Sequence, residues 1–97
     1  MSSIPVARLG DYCSGHHGYE PTKIISGSSN VIANNIPVAR KGDEVMKHKR
    51  PNSSYHDRHI SGCSSVTIVN SRGVARIGDA VDCGGLVVQG SGNVSKG

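Results

Sequence analysis

The 97-residue chain contains no tryptophan and no phenylalanine, and only 3 tyrosines and 2 methionines. Without large aromatic rings no single side chain buries much area. A chain this short covers only about two-thirds of its unfolded surface on folding. An apolar core alone is therefore marginal, and something besides hydrophobic burial must help to hold the fold. Long apolar runs are missing too: nothing approaches the roughly 20 residues of a bilayer-spanning helix, and Met1-Ser2-Ser3-Ile4-Pro5 does not read as a signal peptide. The expectation is a soluble chain made in the cytoplasm. Its 3 cysteines, Cys13, Cys63 and Cys83, are odd in number and form no CxxC pair, which excludes a secreted disulfide framework and favours free or metal-bound thiols.

The net charge of +4 is scattered, with only Lys41 and Lys47-His48-Lys49-Arg50 approaching a cluster. Aromatic residues are absent from that stretch, so it lacks the stacking platform of a nucleic-acid groove and reads as a solvated basic loop. No room exists for two cores, which makes residues 1–97 one domain.

What the chain has is β-branched residues and turn formers. Eleven valines and 8 isoleucines stand against 2 leucines, beside 13 glycines and 14 serines. Val and Ile fit a pleated surface and lose rotamer freedom in helices, while Gly and Ser punctuate turns. No stretch free of Gly and Pro carries apolar residues at i, i+3, i+4 and i+7. The fold class is all-β, built from short strands with almost no helix.

A repeat organises those strands. Pro5-Val6-Ala7-Arg8-Leu9-Gly10-Asp11 recurs as Pro37-Val38-Ala39-Arg40-Lys41-Gly42-Asp43 and as Gly73-Val74-Ala75-Arg76-Ile77-Gly78-Asp79. A second motif interleaves: Gly27-Ser28-Ser29-Asn30-Val31, Gly62-Cys63-Ser64-Ser65-Val66 and Gly90-Ser91-Gly92-Asn93-Val94. The units run over about 5–36, 37–72 and 73–97. Segments such as Lys23-Ile24-Ile25-Ser26, Val31-Ile32-Ala33-Asn34, Val66-Thr67-Ile68-Val69 and Leu86-Val87-Val88-Gln89 have strand composition. One unit cannot bury its own apolar face, so the three pack about a common pseudo-threefold axis. An Arg beside each turn Asp is assigned a structural role.

The variable loops after each Gly-Asp carry the chemistry. They run from Tyr12 to about Thr22, from Glu44 to His59 and from Ala80 to Gly85, and hold all 5 histidines with Cys13 and Cys83. Pseudo-threefold packing brings equivalent loops to one end of the body. His16 and His48 each follow their repeat's Asp by five residues, and Cys83 follows Asp79 by four. Thiolate and imidazole suit zinc or a related metal such as iron, and a structural site takes four ligands. The preferred set is His16, His48, His56 and Cys83. His17 points away from His16 in an extended segment, His59 rivals His56, Cys13 is either a ligand or a thiol packed under its loop, and Cys63 is a small buried side chain in the Gly-Ser turn.

The Pro-Val-Ala-Arg-x-Gly-Asp units resemble the proline-alanine-alanine-arginine (PAAR) repeat, with Val6, Val38 and Val74 in place of its first alanine. The resemblance covers essentially the whole chain. It implies a small sharp cone of short strands on the tip of a trimeric β-helical spike, with a metal held by three His and one Cys at the apex. Asp11-Tyr12-Cys13-Ser14-Gly15-His16 is similar to that family's first loop and Asp79-Ala80-Val81-Asp82-Cys83-Gly84 to its third, supporting His16 and Cys83. Gly73 departs from the expected proline and should loosen its segment.

The implied function is a structural cap that closes and sharpens the spike of a contractile phage tail baseplate and aids penetration of the host envelope. The tip would then belong to the virion, after synthesis in the host cytoplasm. The alternative is a type VI secretion tip bound to a VgrG-like trimer and secreted with it. In either case one chain sits on one spike trimer, touches the target envelope transiently, binds no specific nucleic acid and forms no stable homo-oligomer. Extensions before or after the repeats, which carry effectors in many secretion-system members, are not expected. A hydrolytic zinc enzyme would need an open metal position and a general base; Glu44 and Asp57 are the available carboxylates, and four protein ligands would close the site, so no enzymatic activity is expected. A basic metal-dependent nucleic-acid module would show steep salt dependence.

Overall fold

The computed structural model describes residues 3–15, 18–48 and 55–97, with His56 described in its backbone alone. Among these residues every regular element is a short strand: β1 (Ile4–Pro5), β2 (Tyr12–Cys13), β3 (Thr22–Lys23), β4 (Ile32–Ala33), β5 (Ile36–Pro37), β6 (Glu44–His48), β7 (His56–His59), β8 (Ile68–Val69), β9 (Arg72–Gly73) and β10 (Ser95–Lys96). The all-β expectation holds. The three loops after Gly-Asp are hairpin-like, with β2 pairing β3, β6 pairing β7, and a single bridge from Ala80 to Leu86 in the third.

The repeat closes into a ring at its alanines. The Ala7 amide donates to the Ala75 carbonyl (2.9 Å), Ala75 to Ala39 (3.0 Å) and Ala39 to Ala7 (2.9 Å), so three units satisfy one another's backbone in a circle. All three alanines are fully buried. A larger side chain there would hold the strands apart and break the ring. Bridges from Val6 to Arg76, Arg8 to Val38 and Arg40 to Val74 continue the ring.

Each Arg-x-Gly-Asp segment is a turn locked by its own ends. Gly10, Gly42 and Gly78 adopt φ of 91°, 90° and 92°, a left-handed region that a Cβ disfavours. Each Asp accepts from the backbone N–H and the guanidinium of the Arg three residues earlier, as Asp43 does from the Arg40 amide at 2.7 Å and Nε at 2.9 Å. Burial alone would raise the Asp43 carboxyl, but the Arg40 donors and the Ser26 hydroxyl outweigh it and hold the group below its ordinary value. The structural role expected for the repeat arginines is what the structure shows.

The second motif is a serine-centred turn. Ser28 Oγ accepts from the amides of Asn30 and Val31, Ser64 Oγ from Val66 and Thr67, and Ser91 Oγ from Asn93 and Val94. This corrects the sequence register of the middle copy by one residue: Ser64, not Cys63, is the equivalent of Ser28. The hairpins β4–β5 and β8–β9 then turn at Asn34-Asn35 and Asn70-Ser71, all with positive φ, as two-residue hairpin turns require. The third ribbon pairs β10 with β1.

Two apolar layers flank the alanine ring. On one side lie Cys13, Val45 and Val81 with Ile24, Ile60 and Val87; on the other, Val6, Val38 and Val74 with Ala33, Val69 and Val94. Cys13 therefore occupies the core position that Val45 and Val81 fill in the other units, each two residues after its repeat's Asp.

Candidate functional site

The apex lies beyond the Cys13, Val45 and Val81 layer. His48 reaches it because of an irregularity in β6. Glu44 pairs with His59 and Val45 with Arg58, but His48 pairs with His56, a shift of one residue. Strict alternation would send Val45 and His48, three apart, to opposite faces. The bulge adds one residue, and both become fully buried.

The His48 ring is fixed from two sides. Nδ1 lies 2.8 Å from the Glu20 carbonyl oxygen, which can only accept, so Nδ1 donates, and in the neutral ring Nε2 is the nitrogen with a lone pair for a metal. Tyr19 stacks on the imidazole with ring centroids 4.7 Å apart. Nε2 faces Cys83 Sγ at 3.7 Å. Zinc bonds of about 2.0–2.1 Å to nitrogen and about 2.3 Å to sulfur in a tetrahedron separate the two ligand atoms by about 3.6 Å. The pair fits a shared metal, and the hydrogen bond on the far ring nitrogen is the support metal-ligating histidines use.

The structure thus brings together His48 and Cys83 from the expected set. His16 lies outside the described residues. His56 takes the strand position directly opposite His48. His59, its rival, is half-exposed and faces Asp82, Nδ1 to Oδ2 at 3.5 Å. Cys13 is wholly buried in the core layer, and burial pushes its thiol up to about 11, against a smaller opposing effect of Arg58. It is a packed thiol at neutral pH. Among the described residues no group of three or more His, Cys, Asp or Glu side chains gathers for a metal.

Arg58 is the residue that sequence reasoning missed. Its side chain is fully buried, and Nε donates to Cys83 Sγ at 3.2 Å. The available signal was alternation: Arg58 precedes the core residue Ile60 by two, as Thr22 precedes Ile24, and so shares its face.

The opposite end is open and apolar. Val6, Val38 and Val74, with Val31, Thr67 and Val94, line an axial depression of about 120 Å³. Ile32 and Ile68, equivalent residues of β4 and β8, stand at this end 58% exposed.

A family model for the PAAR motif matches residues 1–46 and 14–89. The chain belongs to the PAAR-motif family. Proteins of this family are spike-tip proteins of type VI secretion or phage-type systems, sit in general on a VgrG-type trimeric spike, and are structural and metal-binding in character. The closed ring, the apex pair and the open base of this PAAR chain agree with such a part. A comparison with curated proteins returns no match.

Proposed function

We propose that this chain caps a trimeric β-helical spike in a contractile phage tail baseplate, closing its end and presenting a rigid point to the host envelope. The observation that carries the reading is the pseudo-threefold base, whose equivalent valines leave an axial apolar depression beside exposed Ile32 and Ile68. A trimeric β-helix ends in three open strand edges around an apolar core. Three units on one chain match that symmetry, and burial of the valines and isoleucines supplies affinity. A VgrG-like trimer would be met by the same face. The chain is then a component of the virion tail tip after synthesis in the host cytoplasm, or of the secreted type VI spike.

At the apex, His16, His48, His56 and Cys83 would hold one zinc ion, which when bound supplies a cross-link between loops distant in sequence. Structural zinc contributes on the order of 10 kcal/mol to folding in small domains. The tip is too narrow for an apolar core to do this.

The test is native mass spectrometry of this chain mixed with the distal fragment of the trimeric spike protein from its own genome. One chain and one metal per spike trimer is the expected species. No complex with either a phage or a VgrG-like spike would sink the reading.

A further inference from the structure

One layer above the apolar core, the three units place Thr22, Arg58 and Gly85 at equivalent positions, each two residues before Ile24, Ile60 or Val87. Their sizes are complementary. A Cβ at Gly85 would lie 2.9 Å from Arg58 Nη2 and would also meet the Ser14 carbonyl. The Thr22 hydroxyl oxygen accepts from Arg58 Nη1 at 3.0 Å. Two small neighbours thus make room for one large side chain between the loops. A homotrimer could not build this layer, because three guanidinium groups would collide and repel.

From that place Arg58 touches every loop that carries an expected ligand. Nη2 donates to the Ser14 carbonyl at 2.6 Å, two residues before His16, and to the Gly84 carbonyl at 3.3 Å. Nε donates to the Cys83 sulfur itself. Thr22, which accepts from Nη1, donates its own hydroxyl to the Met46 carbonyl at 2.5 Å, two residues before His48. Arg58 lies two residues after His56 in β7. A planar fork can hold several acceptors in fixed directions at once, which an ammonium group cannot.

We propose that Arg58 is the positioning residue of the apex: its guanidinium fixes the three ligand-bearing loops against one another and delivers the Cys83 sulfur to the metal. This rests on the reading of Cys83 and His48 as metal ligands. Arg58 is no ligand, so its removal leaves the donor set intact while loosening its geometry. Outer partners of this kind change metal affinity by about 10- to 100-fold.

The experiment loads the full chain with cobalt(II) and records the sulfur-to-cobalt charge-transfer band and the ligand-field bands, then measures zinc affinity by competition with a chromophoric chelator. Arg58→Met should weaken zinc binding by about 10- to 100-fold and shift or weaken the sulfur band. Arg58→Lys should recover only part of either. Wild-type affinity and spectrum in Arg58→Met would overturn the proposal, since a residue that merely fills space would leave the sulfur band alone. If Arg58→Met does not fold, Arg58→Lys and Thr22→Val decide in the same way: weaker zinc and an altered band support it, wild-type values overturn it. Cys83→Ser run alongside separates the two levels. A sulfur band that survives it removes Cys83 as a ligand and this proposal together, whereas a band lost there but unchanged in the Arg58 variants removes this proposal alone.

Discussion

Cys63 packs against Gly73, and the pair inverts the sizes found at the two equivalent contacts. Elsewhere a glycine meets a proline: a Cβ at Gly27 would lie 3.1 Å from Pro37 Cβ, and one at Gly90 would lie 3.3 Å from Pro5 Cβ. In the middle copy the cysteine supplies the bulk, and a Cβ at Gly73 would strike Cys63 Sγ and the Ser64 carbonyl. Cys63 therefore fills, beside Gly73, the space that the missing proline leaves.

The inversion makes a double-mutant cycle informative. Gly73→Pro alone should cost about 1–3 kcal/mol through overpacking, and Cys63→Gly alone should cost about 1 kcal/mol. The double variant recreates the Gly-on-Pro contact, and denaturant melts should return it to within about 0.5 kcal/mol of wild type. Simple additivity of the two losses would show that the contact does not couple them.

Acid should weaken the ring through Asp43. The folded protein holds this carboxyl below its ordinary value, so its contribution to stability is present in full above about pH 4 and is lost as pH falls through the folded value. Asp43→Asn should lower stability at pH 7 by about 2–3 kcal/mol and flatten the acid limb of a plot of melting temperature against pH. An acid limb unchanged by the substitution would place the sensitivity in other groups.

Docking should depend on the exposed isoleucines at the base. Ile32→Lys with Ile68→Lys is expected to leave thermal stability within about 0.5 kcal/mol, as exposed substitutions do, and to weaken binding to the distal spike fragment by at least about tenfold. Calorimetry on the same preparations reads both quantities. Unchanged affinity would move the interface away from this end.

The buried Cys13 and the partly buried Cys83 should behave differently. Cys13→Ala is expected to keep one metal per chain and to lose about 1 kcal/mol of stability, because Cys13 replaces a core valine. Cys83→Ser should release the metal. Elemental analysis of the purified variants checks both, and metal loss from Cys13→Ala would make Cys13 a ligand after all.

Much of this was legible in the sequence, for a physical reason. Three copies of one unit constrain each other, so Ala7, Ala39 and Ala75 could be placed on one axis and their loops at one end before any coordinates. Even the core role of Cys13 was present, in its register with Val45 and Val81. The middle serine turn was misaligned by one residue because Gly62-Cys63 imitates Gly27-Ser28, and only the amides bound by Ser64 Oγ reveal the true register. Arg58 was passed over because a charged residue reads as solvated until its strand partner is known. Its burial depends on β6 and β7 forming a hairpin, which composition alone presented as a loop.

The bulge in β6 has a genetic corollary. Whether His48 looks inward depends both on the number of residues between it and Val45 and on the bulge that takes up the odd one. Deleting Met46 or Lys47 would remove the extra residue and leave the histidine two places after Val45, the spacing at which regular alternation keeps both side chains on one face. The bulge thus absorbs a one-codon difference in length, so a strand with or without the extra residue can present the same imidazole to the apex.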